Sequence, residues 1–151
     1  MNEAPMFELS SADRVPRRQV GVFYETLSPT DTSQLARAFI DRARASHADA
    51  RSDSVSSGTR VGASYATCAF ITLWSLAERG ILFEGAPEAL ESLVACLLRP
   101  YENRVGGFMA VVERHLRRFD TPLDCTDKDV ELVCEVAGAM LRDVFNVETD
   151  K

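Results

Sequence analysis

From about residue 28 onward, apolar residues recur at intervals of three and four, the spacing of amphipathic helices. One segment departs from that pattern by being apolar nearly all round. Arg60 to Gly80 carries no charge between Val61 and Ala77 and holds the only tryptophan, Trp74. Val61, Tyr65, Cys68, Ala69, Leu73 and Leu76 share one helical face, and Phe70, Ile71 and Trp74 extend that surface most of the way round. Such a helix must be enclosed by others, so the pattern predicts a central helix over residues 60–79. A membrane span needs about 20 predominantly apolar residues. This run is shorter and is diluted by Gly62, Ser64, Thr67, Thr72 and Ser75, so a buried soluble helix is expected.

The remaining elements follow from stripes and caps. Ser28-Pro29-Thr30-Asp31 predicts a helix start: Ser28 caps, Pro29 suits the first position, and Asp31 completes the cap and favours the positive helix end. Leu35, Ala36, Phe39, Ile40 and Ala43 carry that helix to about His47. The serine-rich stretch 48–59 reads as a loop, and Gly80 is placed for a left-handed C-terminal cap. After an ILFEGA turn, Pro87 opens a third helix through Leu90, Leu93, Val94 and Leu97. A fourth runs from Val105 through Phe108, Val112 and Leu116 to Phe119, its first turn weakened by Gly106 and Gly107. Thr126 and Asp129 form a capping box for a last helix with Val130, Val133, Val136, Ala137, Met140, Leu141, Val144 and Phe145 on one side. Five amphipathic helices with short connections predict an all-α, single-domain bundle. It is preceded by an extended arm or short strand around Val20, Val22 and Tyr24. The divisions are an arm over 1–27, the bundle over 28–147 and a loose tail at 148–151.

Composition adds exclusions. The chain has 151 residues, 46% hydrophobic and 26% charged, as in an ordinary globular protein. The opening MNEAPMFELSSADR has no basic start followed by an apolar run, so a cytoplasmic location is expected; export with an uncleaved signal is the alternative. Cys68, Cys96, Cys125 and Cys134 form no CxxC pair, and two histidines are too few to complete a convincing metal site. Neither a metal nor another cofactor is expected. With 23 acidic against 17 basic residues the net charge is −6, which disfavours a fold-wide grip on nucleic acid and leaves only local basic clusters.

Those clusters supply the candidate site residues. His115 is flanked by Arg114, Arg117 and Arg118, and helical spacing places it with Arg104 at the edge of an apolar stripe. A histidine beside arginines can serve as general acid or base on a phosphodiester while arginine stabilises developing charge. The competing reading is a boundary histidine among solvated arginines. The glycine pair between Arg104 and Phe108 lacks the lysine and hydroxyl of a phosphate loop. His47 closes the first helix, where a protonated imidazole is favourable by about 0.3–1 kcal/mol.

The central helix RVGASYATCAFITLWSLAERGI and the closing RRFDTPLDCTDKDVELVCEVAGAMLRDVF together resemble HEPN domains, over roughly residues 30–146. Catalytic members of that family cut RNA as dimers without metal, using an arginine, four to six residues and a histidine in a late helix. Here Arg117 and Arg118 have no histidine after them at that spacing. Arg42 and His47 do fit it, but lie in the first helix. The resemblance therefore implies a degenerate copy that binds rather than cuts.

The leading expectation is a non-catalytic helical interaction module, an adaptor, inhibitor or chaperone-like protein that self-associates or binds a protein partner. The alternatives are a HEPN-type RNA endonuclease acting through His115, and a nucleotide or small-ligand binding protein using the Arg104–His115 region.

Overall fold

The structure is a computed structural model of the chain. It describes residues 23–26, 28–84, 87–101, 108–117 and 126–149, with the side chains of 23–26, 84, 87, 113–117 and 145–149 outside the description. The elements in order are β1 (Phe23–Thr26), α1 (Pro29–Ala50), α2 (Ser57–Glu78), β2 (Ile81–Glu84), α3 (Pro87–Leu98), a 3₁₀ turn (Arg99–Tyr101), α4 (Phe108–Arg117) and α5 (Asp127–Thr149). The architecture is the expected all-α bundle, joined by one short antiparallel ribbon in which Phe23 lies opposite Glu84 and Thr26 opposite Ile81.

α2 is the central helix. It touches α1, α3, α4, α5 and β2, and its most extensive contact is with α1. Val61, Cys68, Ile71, Trp74, Leu76 and Ala77 are buried along it, and so are Ser64, Thr67, Thr72 and Ser75. Three of these four hydroxyls bond locally, whereas Ser64 Oγ is buried without a partner. Thr67 Oγ1 donates to the Ala63 carbonyl and Thr72 Oγ1 to the Cys68 carbonyl, each at 2.9 Å. Ser75 Oγ accepts from Arg79 Nη1 at 2.7 Å.

The caps form as the sequence suggests. The Asp31 amide donates to Ser28 Oγ at 3.2 Å, with Pro29 in the first turn. At α5 the box is reciprocal: the Asp129 amide donates to Thr126 Oγ1 at 3.2 Å, and the Thr126 amide to Asp129 Oδ2 at 3.4 Å. Gly80 takes φ 75° just past α2, the left-handed conformation that ends the helix and turns the chain into β2.

Three boundaries differ from the sequence reading. α1 continues to Ala50 and α2 starts at Ser57 under a Ser56 cap, so the connecting loop shrinks to residues 51–56. The cause is tertiary: Ala50 is fully buried, and Arg60 Nε donates to its carbonyl at 2.8 Å. The ILFEGA turn contains strand β2, because β1 offers it a hydrogen-bonding partner. α4 is described over Phe108–Arg117, and the rest of the stretch expected for it lies outside the described residues. α5 runs to Thr149, so the tail expected to be loose from residue 148 is helical for two residues more. The positions Val20, Val22, Val105, Gly106, Gly107 and Phe119 lie outside the described residues.

The core joins Ile40 and Ala43 of α1, Val94, Leu97 and Leu98 of α3, Phe108, Val111 and Val112 of α4, and the valine stripe and Met140 of α5 to the inward faces of α2. Tyr101 in the 3₁₀ turn donates its hydroxyl proton to Asp143 Oδ2, which ties that turn to the far end of α5. No helix among the described residues is long and apolar enough to cross a membrane.

Candidate functional site

Titratable side chains converge where the C-terminal end of α1 and the N-terminal end of α2 meet the middle of α5. His47 lies on α1, three residues before its end, and packs against Gly138 of α5. A methyl group added at Gly138 would stand 3.1 Å from His47 Cε1 and 3.2 Å from Nε2. That spacing is tighter than most Cβ contacts, so a side chain here would push the ring back and the missing Cβ lets it sit close to the α5 backbone. Arg142, one turn further along α5, brings Nη1 within 3.5 Å of the same point. Arg51 follows His47 by four residues, and both it and Arg60 of α2 lie close enough to Cys134 to act on its charge.

The electrostatics follow from this crowding. Burial, and then the positive charges of Arg51 and Arg142, hold the His47 imidazole below its usual range, so the ring is neutral at pH 7. Its Nδ1 is buried with no hydrogen-bond partner. An orphaned polar atom of this kind costs about 1–3 kcal/mol. Burial also pushes the Cys134 thiol up against the opposing pull of Arg60 and Arg51, so the sulfur stays protonated and is a poor nucleophile.

The cations differ in what they touch. Arg60 is engaged: its Nε holds the Ala50 carbonyl, and its Nη1 lies 3.9 Å from Asp53 Oδ1. Arg51 and Arg142 are exposed, and neither forms an ion pair among the described residues. Two guanidiniums thus stand near a neutral imidazole, with the exposed acids Asp49 and Glu135 on the same segments. The helix end beneath it is neutralised. The Arg51 amide caps the carbonyls of His47, Ala48 and Asp49, and Arg60 takes that of Ala50.

The residues singled out by sequence are placed as follows. Arg114, His115 and Arg117 lie on α4 with their side chains outside the description, and Arg104 and Arg118 lie outside the described residues altogether. Arg42 and His47 are split apart. The Arg42 guanidinium sits over the Phe70 ring at 5.9 Å, where Phe70 stacks with Phe39 at 6.5 Å, while His47 faces α5. Five residues at 100° each leave the two side chains about 140° apart on a helix, so that spacing cannot bring them together. Sequence reasoning missed the grouping of His47 with Arg51 and Arg142. Its one visible trace was Gly138, a glycine inside the most regular helix of the chain, which implies close approach of another group.

Free thiols occur at Cys68, Cys96 and Cys134, with Cys68 fully buried and its thiol pushed far up by that burial. Cys125 lies outside the described residues. Among the described residues no group of three His, Cys, Asp or Glu side chains is arranged to hold a metal ion. Comparison with known proteins finds no matching family model, no matching curated protein and no matching solved structure.

Proposed function

We propose that the chain is a non-catalytic helical interaction module whose docking site is the His47–Arg51–Arg142 face and whose partner is a protein presenting an acidic segment. The observation that carries this reading is the pair of exposed guanidiniums near His47, one at the C-cap of α1 and one on α5, that form no ion pair among the described residues of a chain of net charge −6. Arginine is the cation best suited to such contacts, because its planar fork meets a carboxylate with two parallel hydrogen bonds. The chemistry of the cluster favours holding over cutting. The Cys134 thiol is protonated, and the His47 imidazole keeps one nitrogen buried and its opposite edge against Gly138. The arginine–histidine spacing that could suggest RNA cleavage separates onto two faces of α1.

The test is affinity capture from the source cell with the wild-type chain and with Arg51→Glu/Arg142→Glu, the eluates compared for protein and RNA. The expected result is an acidic protein retained by the wild type, released by added salt and lost from the variant. Partners retained equally by both proteins would overturn the reading, as would RNA with newly cut ends recovered with the wild type alone.

A further inference from the structure

We infer that the outer face of the α1–α2 pair, centred on Arg42 and Phe70, receives an amphipathic helix of a partner protein that sets a carboxylate on Arg42. This surface is separate from the His47 face and does not rest on it, since Arg42 stands about 140° from His47 around α1. The argument starts from α2, which carries no charge from Val61 to Ala77. At 100° per residue, Gly62, Ala66, Phe70 and Leu73 fall within about 80° of one another on that helix, and all four are half-buried. The opposite side, with Ser64, Cys68, Ile71 and Ser75, is buried. A helix with one side facing water ordinarily places charge there. α2 places none, which leaves an uncharged strip of about three turns on the surface. Phe39 of α1, also half-buried, widens the strip by stacking with Phe70 at 6.5 Å.

Charge decides what covers it. Arg42 is exposed, stands over the Phe70 ring at 5.9 Å and makes no ion pair among the described residues. The acid next to it in sequence, Asp41, is 3.6 Å from Arg44 instead. Stacking on the ring restrains the guanidinium, so its fork meets a carboxylate with less freedom left to lose. A second copy of this chain fits poorly. Arg42 is level with Phe70, near the middle of both helices, so a two-fold pairing of the strips sets one guanidinium close to the other. Neither strip supplies an acid to separate them. A helix with apolar side chains at intervals of three and four and one Asp or Glu among them satisfies both the strip and the arginine.

The experiment uses the full chain in its source cell, with a short diazirine-bearing aliphatic residue at Ala66 and, as control, at Lys128, exposed on α5. After irradiation the crosslinked peptides are sequenced. The expected adduct from position 66 is with another protein, at a segment of that apolar spacing with an acid within one turn. Arg42→Glu should lower its yield at least about threefold, Arg42→Lys should retain most of it, and changing the partner's acid to lysine should restore it in Arg42→Glu. Position 128 should give no such adduct. No adduct from position 66, an adduct with a second copy of this chain, with RNA or with lipid, or a yield unchanged in Arg42→Glu would each overturn the inference. Arg51→Glu/Arg142→Glu separates the two surfaces: it should leave the position 66 adduct intact, and its loss there would overturn their independence.

Discussion

Replacing Gly138 by alanine tests the geometry of the site more sharply than any charge change. The new methyl would meet the His47 ring at 3.1 and 3.2 Å, against a carbon–carbon optimum of about 3.5–4.0 Å, so the imidazole must retreat by a few tenths of an ångström. Two effects oppose each other. Alanine is worth about 1 kcal/mol over glycine in a helix interior, while overpacking a close contact costs about 1–3 kcal/mol. The single substitution is therefore expected to be neutral or to destabilise by up to about 2 kcal/mol. That range is too broad to be decisive alone. Comparing Gly138→Ala in the wild-type and His47→Ala backgrounds cancels the helix-propensity part. With the ring gone, the methyl has room and should stabilise by about 1 kcal/mol, which corresponds to a midpoint rise of about 2–4 °C for a chain of this size. The coupling between the two sites should then lie between about 1 and 3 kcal/mol. Urea unfolding of the four proteins at pH 8, where His47 is neutral in every state that contains it, measures this directly. A coupling below about 0.5 kcal/mol would refute the claim that the imidazole is seated on the Gly138 backbone.

The pH dependence carries a definite sign. Because the folded-state pKa of His47 lies below its ordinary value of 6.5, the unfolded chain binds a proton that the folded chain refuses in the interval between the two. The contribution of this residue is thus fully present above pH 6.5 and declines as pH falls through the folded value. Urea midpoints should accordingly drop more between pH 7.5 and 5 for the wild type than for His47→Gln; equal drops would contradict the assignment. Met140→Ala, at a fully buried position of α5, should cost about 2–5 kcal/mol by chemical denaturation. Thr126→Ala removes the hydroxyl that accepts from the Asp129 amide and should cost about 1 kcal/mol, whereas Thr126→Ser should retain most of it.

Much of the architecture could be read from the chain because it rests on local chemistry. A helix without charge from Val61 to Ala77 has only one stable destination in water, and α2 occupies it between the other helices. The Ser28 and Thr126 caps and the Gly80 terminator are short-range devices and fell where their residues indicated. The errors have a common cause in distant partners. Ile81–Glu84 is too short to signal a strand by alternation, and its pairing with Phe23–Thr26 closes a loop over more than fifty residues. Ala48, Asp49 and Ala50 adjoin a serine-rich run and read as loop until Ala50 is seen buried and held by Arg60. The site was obscured for the same reason. His47 and Arg51 are one turn apart on one segment, while Gly138 and Arg142 come from another about ninety residues later. The arginines near His115 drew notice because they are adjacent in sequence, which says nothing about whether they converge in space.

The central claim is that a partner docks where α1 ends against α5, and site-specific photocrosslinking locates that contact directly. A photoreactive phenylalanine analogue is placed in turn at Asp49, at Glu135 and at Gln34, three exposed positions of which the last lies toward the opposite end of α1. Each protein is irradiated with the partner recovered by affinity capture. The account predicts covalent adducts from positions 49 and 135 and none from 34. Adducts from position 34 with none from the other two would place the partner on a different face and contradict it.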